Sequence, residues 1–560
     1  MIKMSRTISN KLHKFKVGGL PIIRAVIERL RLKEVLYEYM PAHANEAIPA
    51  VESLMIIIYN LVLSKAPLYE LEQWVCSLDQ RCLGYANLPQ GKFNDDRFGR
   101  ALDKLFQTNR SALMTKLVST AVKEFNLDMS WIHNDSTTVK ACGSIPGRTA
   151  TGLELKRGHS KDYRPDLKQL VYNLSITADG AVPVHHHCYS GNRTDDTTHI
   201  ETWNILREIN GRADFIYVAD SKLCTDEQLS HIVSNGGCAV TIVPETWAET
   251  KKFKDILRKT KKQKKEIWRR VKPGSEEEIE YFSVFNGQYV TKKRGYTLHW
   301  IYSSQKRKRD RFSREQKMRK AEDELMNLNA RINQRNLKTG EAIEESARKI
   351  LASHQVNRYY HLEVGSTHEE VRKQIGKGRP GKHTKFRQKT TAIHTLTWAR
   401  HRETLKEESR VDGVFPLLCT DAALATEKVL KAYKFQPRLE KRFSQFKWVH
   451  NAAPLLFKKI ERVEANMFAF FIALMLQALI EREIRTKMQT SKIPSLTLYP
   501  EEREACHPTT NKVMRLFEDV STYTFEYEYG KVKEFMDDLT ETQQQILKLM
   551  EIPLDNFWRR

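Results

Sequence analysis

Paired cysteines are missing from this 560-residue chain. Its eight cysteines stand at 76, 82, 142, 188, 224, 238, 419 and 506, scattered and without a CxxC pair. That pattern argues against a disulfide framework or a structural zinc site, and makes a reducing compartment, the cytoplasm, the expectation. Long apolar runs are missing too. The longest, Met467 to Ile480, is about 14 residues and is interrupted by Gln477. A helix needs roughly 20 apolar residues to span a bilayer, so this run is expected to be a buried core helix, with no membrane partner. The opening residues, MIKMSRTISNKLHK, are basic but lack the apolar stretch of a signal peptide. No internal repeat recurs at solenoid spacing. Acidic residues are in short supply, 69 against 93 lysines and arginines, for a formal charge of +24. Such a surplus concentrates polyanions around a protein and favours phosphate contacts. Nucleic acid is therefore the expected partner.

Hydrophobic residues make up 40% of the chain, enough for real cores, and the length suggests three or four domains. Residues 1–128 read as a helical domain, with apolar residues at helical spacing in Ile22, Ile23, Val26, Ile27 and Leu30 and Asn94 as a candidate N-cap. From 129 the text turns to strands: Met129 to Asp135, Leu170 to Ala178, Val182 to Tyr189, Phe215 to Asp220 and Ala239 to Val243. Asp179-Gly180 between the second and third is a hairpin signal. This mixed α/β set spans 129–244. Residues 245–422 read as a basic insertion, in which Lys251 to Lys272 carries twelve Lys or Arg against two acids. Met318, Ala321, Leu325, Leu328 and Ile332 form a short coiled-coil seam, paired with the helix around Ile343 to Leu351. Lys377-Gly378-Arg379-Pro380 resembles the core of an AT-hook, although a plain basic loop is the simpler reading. Helical text resumes over 423–485, and 486–560 reads as a helical tail.

Two acids end apolar strands, Asp135 and Asp220. Transferring a phosphodiester requires an activated oxygen nucleophile and a stabilised leaving oxygen; two hard cations of the magnesium type supply both and prefer carboxylate ligands. If the two strands are neighbours, their carboxylates converge. Between 433 and 447 the sequence is YKFQPRLEKRFSQFK. Tyr433, Glu440 and Lys447 recur every seven residues, close to two helical turns, so one helix face would carry an acid flanked by a phenol and an ammonium. His185, His186 and His187 with Cys188 suggest a metal cluster, but successive strand residues face opposite ways, and the structural reading is preferred. Ser221 has no evident His partner for a nucleophilic role. Trp268 and Trp300 are read as core packing rather than base-stacking platforms.

This last block resembles the Tyr-x2-Arg-x3-Glu-x6-Lys signature of a large group of bacterial insertion-sequence transposases of the DDE class. Tyr433, Glu440 and Lys447 match in register; the arginine position is Gln436, with Arg438 and Arg442 nearby but out of register. HNDSTTVKACG (133–143), FIYVADSKLCT (215–225), GNRTDDTTH (191–199), FNDDRFGRALDKLF (93–106), DGVFPLLCTD (412–421) and LYPEER (498–503) resemble further blocks of the family. The resemblance implies an RNase H-like core interrupted by a β-rich insertion, and a triad of Asp135, Asp220 and Glu440 holding two Mg²⁺ ions, for which Mn²⁺ could substitute. Tyr433, Lys447, Gln436, Arg438 and Arg442 would contact DNA. It further implies cleavage at transposon ends followed by 3′-hydroxyl strand transfer, helical N-terminal recognition of terminal repeats, and at least a homodimer when two ends are synapsed. Two alternatives stay open: a nuclease of the same fold without strand transfer, and an inactive DNA-binding relative.

Overall fold

The computed structural model describes residues 11–44, 46, 48–85, 91–141, 145–158, 164, 166–193, 197–271, 278–449, 457–499, 501–526 and 532–554. Positions 142–143, 194–196, 272 and 500, parts of sequence blocks singled out above, lie outside them. The chain is a mixed α/β protein that divides into two compact units, one of residues 1–241 with 428–560, the other of 242–427.

The first unit opens with strand β1 (Lys11–Lys16) and helices α1 (Leu20–Arg29), α2 (Leu32–Tyr39), α3 (Ala50–Leu63), α4 (Leu71–Cys76), α5 (Asp95–Gln107) and α6 (Arg110–Phe125). Asn94 caps α5 by accepting from the Arg97 amide, as its place before an apolar-periodic run predicts. Strands β2 (Trp131–Lys140), β3 (Gln169–Thr177) and β4 (Pro183–Ser190) follow, then α7 (His199–Asn210), β5 (Ile216–Ala219), α8 (Asp226–Ser234) and β6 (Cys238–Ile242). The strands lie in the order β4-β3-β2-β5-β6. β2, β3 and β4 pair antiparallel, while β2-β5 and β5-β6 are parallel, so the sheet is mixed. Asp179-Gly180 does turn the β3–β4 hairpin: Gly180 has φ +78°, open to glycine because no Cβ intervenes.

The second unit carries α9 (Ala248–Lys259), β7 (Lys264–Val271), β8 (Ile279–Phe285), β9 (Thr297–Ser303), α10 (Ser304–Asn329), α11 (Gly340–Ser353), β10 (Tyr360–Gln374), β11 (Phe386–Arg400), α12 (Arg402–Glu408) and β12 (Val414–Cys419). β12-β9-β8-β7 pair antiparallel in that order, whereas among the described residues β10 and β11 pair with each other alone. The seam from Met318 to Leu328 buries against Ile343, Ala347 and Leu351 of α11. Trp300 stacks on Phe253, centroids 3.9 Å apart, inside a second core, as expected, while Trp268 is half-buried and stacks on Phe282.

Helices α13 (Thr426–Tyr433), α14 (Gln436–Ser444) and α15 (Ile460–Thr490) follow. The apolar run grows into a 31-residue helix, twice the expected length, and one long and apolar enough to cross a membrane; 94% of its most apolar window is nevertheless buried inside the protein. α1, α3, α5 and β4 pack round it. Each fully buried Leu or Phe there contributes about 1.5–3 kcal/mol.

The ends depart from the helical expectation. After β13 (Leu496–Thr497), β14 (Glu504–Ala505) and α16 (Thr510–Leu516), the chain forms β15 (Ser521–Glu526), β16 (Val532–Met536) and α17 (Glu541–Leu549). β1 pairs antiparallel with β15, Lys11 opposite Glu526, giving a sheet β1-β15-β16. Neither the N-terminal segment nor the tail is therefore all helical. An isolated strand carries no sheet hydrogen bonds, so its partner, far away in sequence, is what makes it a strand.

Candidate active site

Asp135 does not end its strand. β2 runs on through Ser136 and the β-branched Thr137, Thr138 and Val139, which suit a strand, and pairs with β3 from Ile132 to Lys140. What ends is the neighbour on the other side. β2 pairs with β5 only at Trp131–Ile216, Ile132–Tyr217 and His133–Val218. Carried two residues further, that register sets Asp135 level with Asp220, the residue after β5. Neighbouring strands run about 4.8 Å apart, so the two acids meet side by side at the carboxyl end of a parallel pair.

Local backbone orients both carboxylates. Asp135 accepts from the Ser136 amide at 2.7 Å, and Asp220 accepts from the Lys222 amide at 2.9 Å, capping a short 3₁₀ turn. Thr241 donates to the Asp220 carbonyl at 2.6 Å, tying that turn to β6.

Strand alternation puts His133 and Asp135 on one face of β2, and α14 lies on that face. The Phe435 ring sits 4.7 Å from the His133 ring, and the Gln436 amide nitrogen donates to the Asn134 carbonyl at 3.3 Å. Burial pushes the His133 imidazole down to about 4, the Gln436 amide beside it pulling weakly the other way, so it is neutral near pH 7. His133, Asn134 and Phe435 were not singled out from the sequence. His133 was detectable as the residue two before the acid on the same strand face.

Glu440 follows Gln436 by four residues and so shares its face of α14. It is exposed. Burial first, then the negative charges of Asp220 and Glu440, raise the Tyr433 phenol to about 12. Both acids thus lie within electrostatic reach of one buried hydroxyl. Among the described residues, however, no three His, Cys, Asp or Glu side chains are grouped closely enough to hold one metal ion. The β2–β5 register levels Asp135 with Asp220, and Asp220 and Glu440 both act on the Tyr433 phenol, but no metal cage is formed among the described residues.

The uniform heptad face is also corrected. Tyr433 closes α13, Lys434 and Phe435 interrupt the helix, and after α14 residues Gln445–Val449 form a π turn that holds the half-buried Lys447. A wider turn changes the angular step per residue, so the seven-residue spacing does not align three side chains along one straight helix.

Arg442, an expected DNA contact, is buried and paired inside the protein. It is 3% exposed. Its guanidinium pairs with Glu481 at 3.0 Å and donates to the carbonyls of Ala181 and Gly180, at 3.0 and 3.1 Å. Arg438 instead lines a cavity of about 470 Å³ with Arg482, Arg485 and His507. His185 and His186 are buried in β4, held neutral by burial, and His186 packs against Tyr172 and Phe471.

A family model described as a domain of unknown function, DUF4277, matches residues 13–119, over the N-terminal helices. No curated protein matches. Among solved structures the chain is similar to a cryo-EM structure titled piggyBac transposase synaptic complex with hairpin DNA. The identity is 8% and the TM-score 0.36, over 89% of this chain and 76% of that one.

Proposed function

We propose that this protein is a DNA transposase of the DDE class, cutting transposon ends and joining the freed 3′-hydroxyl to target DNA. The observation that carries the reading is the β2–β5 register, which levels Asp135 with Asp220 at the mouth of a parallel pair. The strand order, three antiparallel strands then two parallel ones, supports an RNase H-like core. Two adjacent carboxylates suit hard divalent cations such as Mg²⁺ or Mn²⁺. When bound, such a pair supplies an activated oxygen nucleophile and charge stabilisation at the leaving oxygen. Asp135 and Asp220 would hold it with Glu440 as third ligand.

Cleavage forms a bond from water oxygen to phosphorus and breaks the bond to the 3′ oxygen, which takes up a proton. In joining, that 3′ oxygen attacks a target phosphodiester, and the displaced 3′ oxygen leaves as a hydroxyl. Tyr433 stays protonated at working pH and so acts as a hydrogen-bond donor to a phosphate oxygen, not as a base. Lys447 adds a cation. Gln436 brings no charge, and its amide already serves Asn134. Holding two ends at once calls for a homodimer, and a bacterial cytoplasm is the expected setting.

The test uses a plasmid carrying the DNA that flanks this coding sequence on both sides, incubated with purified protein and Mg²⁺. End cleavage and joined products are expected from the wild type and neither from Asp135→Asn. Cutting without joining favours the nuclease alternative. Equal cutting by Asp135→Asn overturns the active-site assignment.

A further inference from the structure

Strands β10 and β11 form a fifteen-rung antiparallel ribbon that, among the described residues, joins no other strand. Its basal half is seated. Leu362, Val364, Leu396 and Trp398 pack on the α10–α11 core, Asn333 donates to the His394 carbonyl at 2.9 Å, and Arg400 pairs with Glu315 and Glu322. Beyond Gly365 the seating stops. From Ser366 to Gln374 the described side chains are exposed or half-exposed. At about 3.3 Å per residue that projecting stretch reaches roughly 30 Å.

Charge is sorted along the ribbon. Residues 372–388 hold seven lysines and arginines and no acid, whereas Glu363, Glu369 and Glu370 sit nearer the base. All seven cations are exposed, and no ion pair is formed by any of them among the described residues. The tip, from Ile375 to Lys385, contains the Lys377-Gly378-Arg379-Pro380 segment, with Gly376 and Gly378 at φ +106° and +127°. Ile375 and Phe386, 60% and 50% exposed, flank it on the last rungs. A protein core gains nothing from a cationic arm with bare apolar side chains at its end; a polyanion with stackable bases does.

We propose that this ribbon is a DNA-gripping arm: its tip enters a groove of duplex DNA, the cations meeting phosphates and Ile375 or Phe386 meeting base steps. A two-stranded ribbon fits a groove, and exposed apolar side chains on basic arms insert between base steps. The inference rests on DNA being the partner in the proposed function, but it concerns binding and not chemistry.

Full-length protein is titrated against a fluorescent 40-base-pair duplex at several salt concentrations. Lys377→Ala with Arg379→Ala and Lys382→Ala should weaken binding at least about tenfold at low salt. It should also lower the slope of log affinity against log salt by about 2 to 3, close to 0.9 per lost phosphate contact. Ile375→Ser with Phe386→Ser should weaken binding and leave the slope unchanged. Asp135→Asn should bind like the wild type. If the triple variant matches the wild type in affinity and slope, the arm is refuted, whatever the cleavage assay shows. If it loses only binding to phosphatidylserine vesicles, a membrane surface replaces DNA as the partner and the proposal falls. If the arm variants behave as expected while Asp135→Asn still cuts, the arm stands and the active-site assignment fails.

Discussion

Arg442 makes the sharpest test of how the site is held. It was an expected DNA contact, and the structure makes it a buried strut between α14, the β3–β4 turn and α15. Its partner Glu481 is, like Arg442 itself, 4% exposed at the side chain. Breaking a buried ion pair by removing one partner costs about 3–5 kcal/mol, because a charge is left uncompensated. Glu481 would keep Gln445 at 3.2 Å, the Thr510 amide at 3.1 Å and Arg485 at 3.4 Å. Those contacts place Arg442→Ala near the lower end. The Gly180 and Ala181 carbonyls also lose their donor, and unmade buried hydrogen bonds add to the loss. We expect about 3 kcal/mol, or roughly a hundredfold faster hydrogen exchange for α15 amides around Glu481, which report opening of this unit alone. Arg442→Met with Glu481→Leu should recover most of the protection, since an apolar pair replaces a buried ionic one at little cost. DNA affinity should keep its salt slope. A loss of protection below about fivefold, or a slope reduced by one phosphate contact with protection intact, would refute the strut.

Other outcomes follow from the same geometry. Asp220→Asn should lower cleavage at least about a thousandfold, as expected for a metal ligand, with duplex binding unchanged in a fluorescence titration. Because the Tyr433 phenol is raised to about 12, cleavage rates should show no inflection near pH 10, and Tyr433→Phe should reduce the rate without moving the pH profile. His133 titrates in the opposite sense. Its folded value of about 4 lies below the usual 6.5, so its contribution to stability is present above pH 6.5 and is lost as pH falls towards 4. That loss is on the order of 3 kcal/mol and should be absent in His133→Asn when urea unfolding at pH 7 and pH 4.5 is compared. Gly180→Ala should destabilise by about 1–2 kcal/mol in the same assay, since a Cβ at φ +78° would meet Arg482 side-chain carbons at 2.9 Å.

Local chemistry was legible in the sequence wherever the answer depends on near neighbours. The Asp179-Gly180 turn, the Asn94 cap and the α10–α11 seam all depend on residues a few positions apart. The β1–β15 pairing was not legible, because each strand is only as good as a partner five hundred residues away. Nor could the sequence show that α15 is so long: its ends are polar on the outside and helical only because the apolar middle is enclosed.

The candidate site shows the same division more sharply. An acid after an apolar run looks like a strand end, yet the half-buried Asp135 owes its edge position to where β5 stops and not to its own strand. Edge positions in a sheet are a property of neighbours, so a linear reading can find the right residue for the wrong reason. Glu440 is the converse. Its seven-residue spacing from Tyr433 and Lys447 assumes one continuous α-helix, and the backbone breaks on both sides of α14. Those breaks remove the rigid common face, and α14 is seated by Gln436 over β2 and by Arg442 on the β3–β4 turn and α15. The sheet therefore sets the level of Asp135 and Asp220, whereas the place of Glu440 depends on how α14 is seated, and the Tyr433 phenol of α13 feels both Asp220 and Glu440.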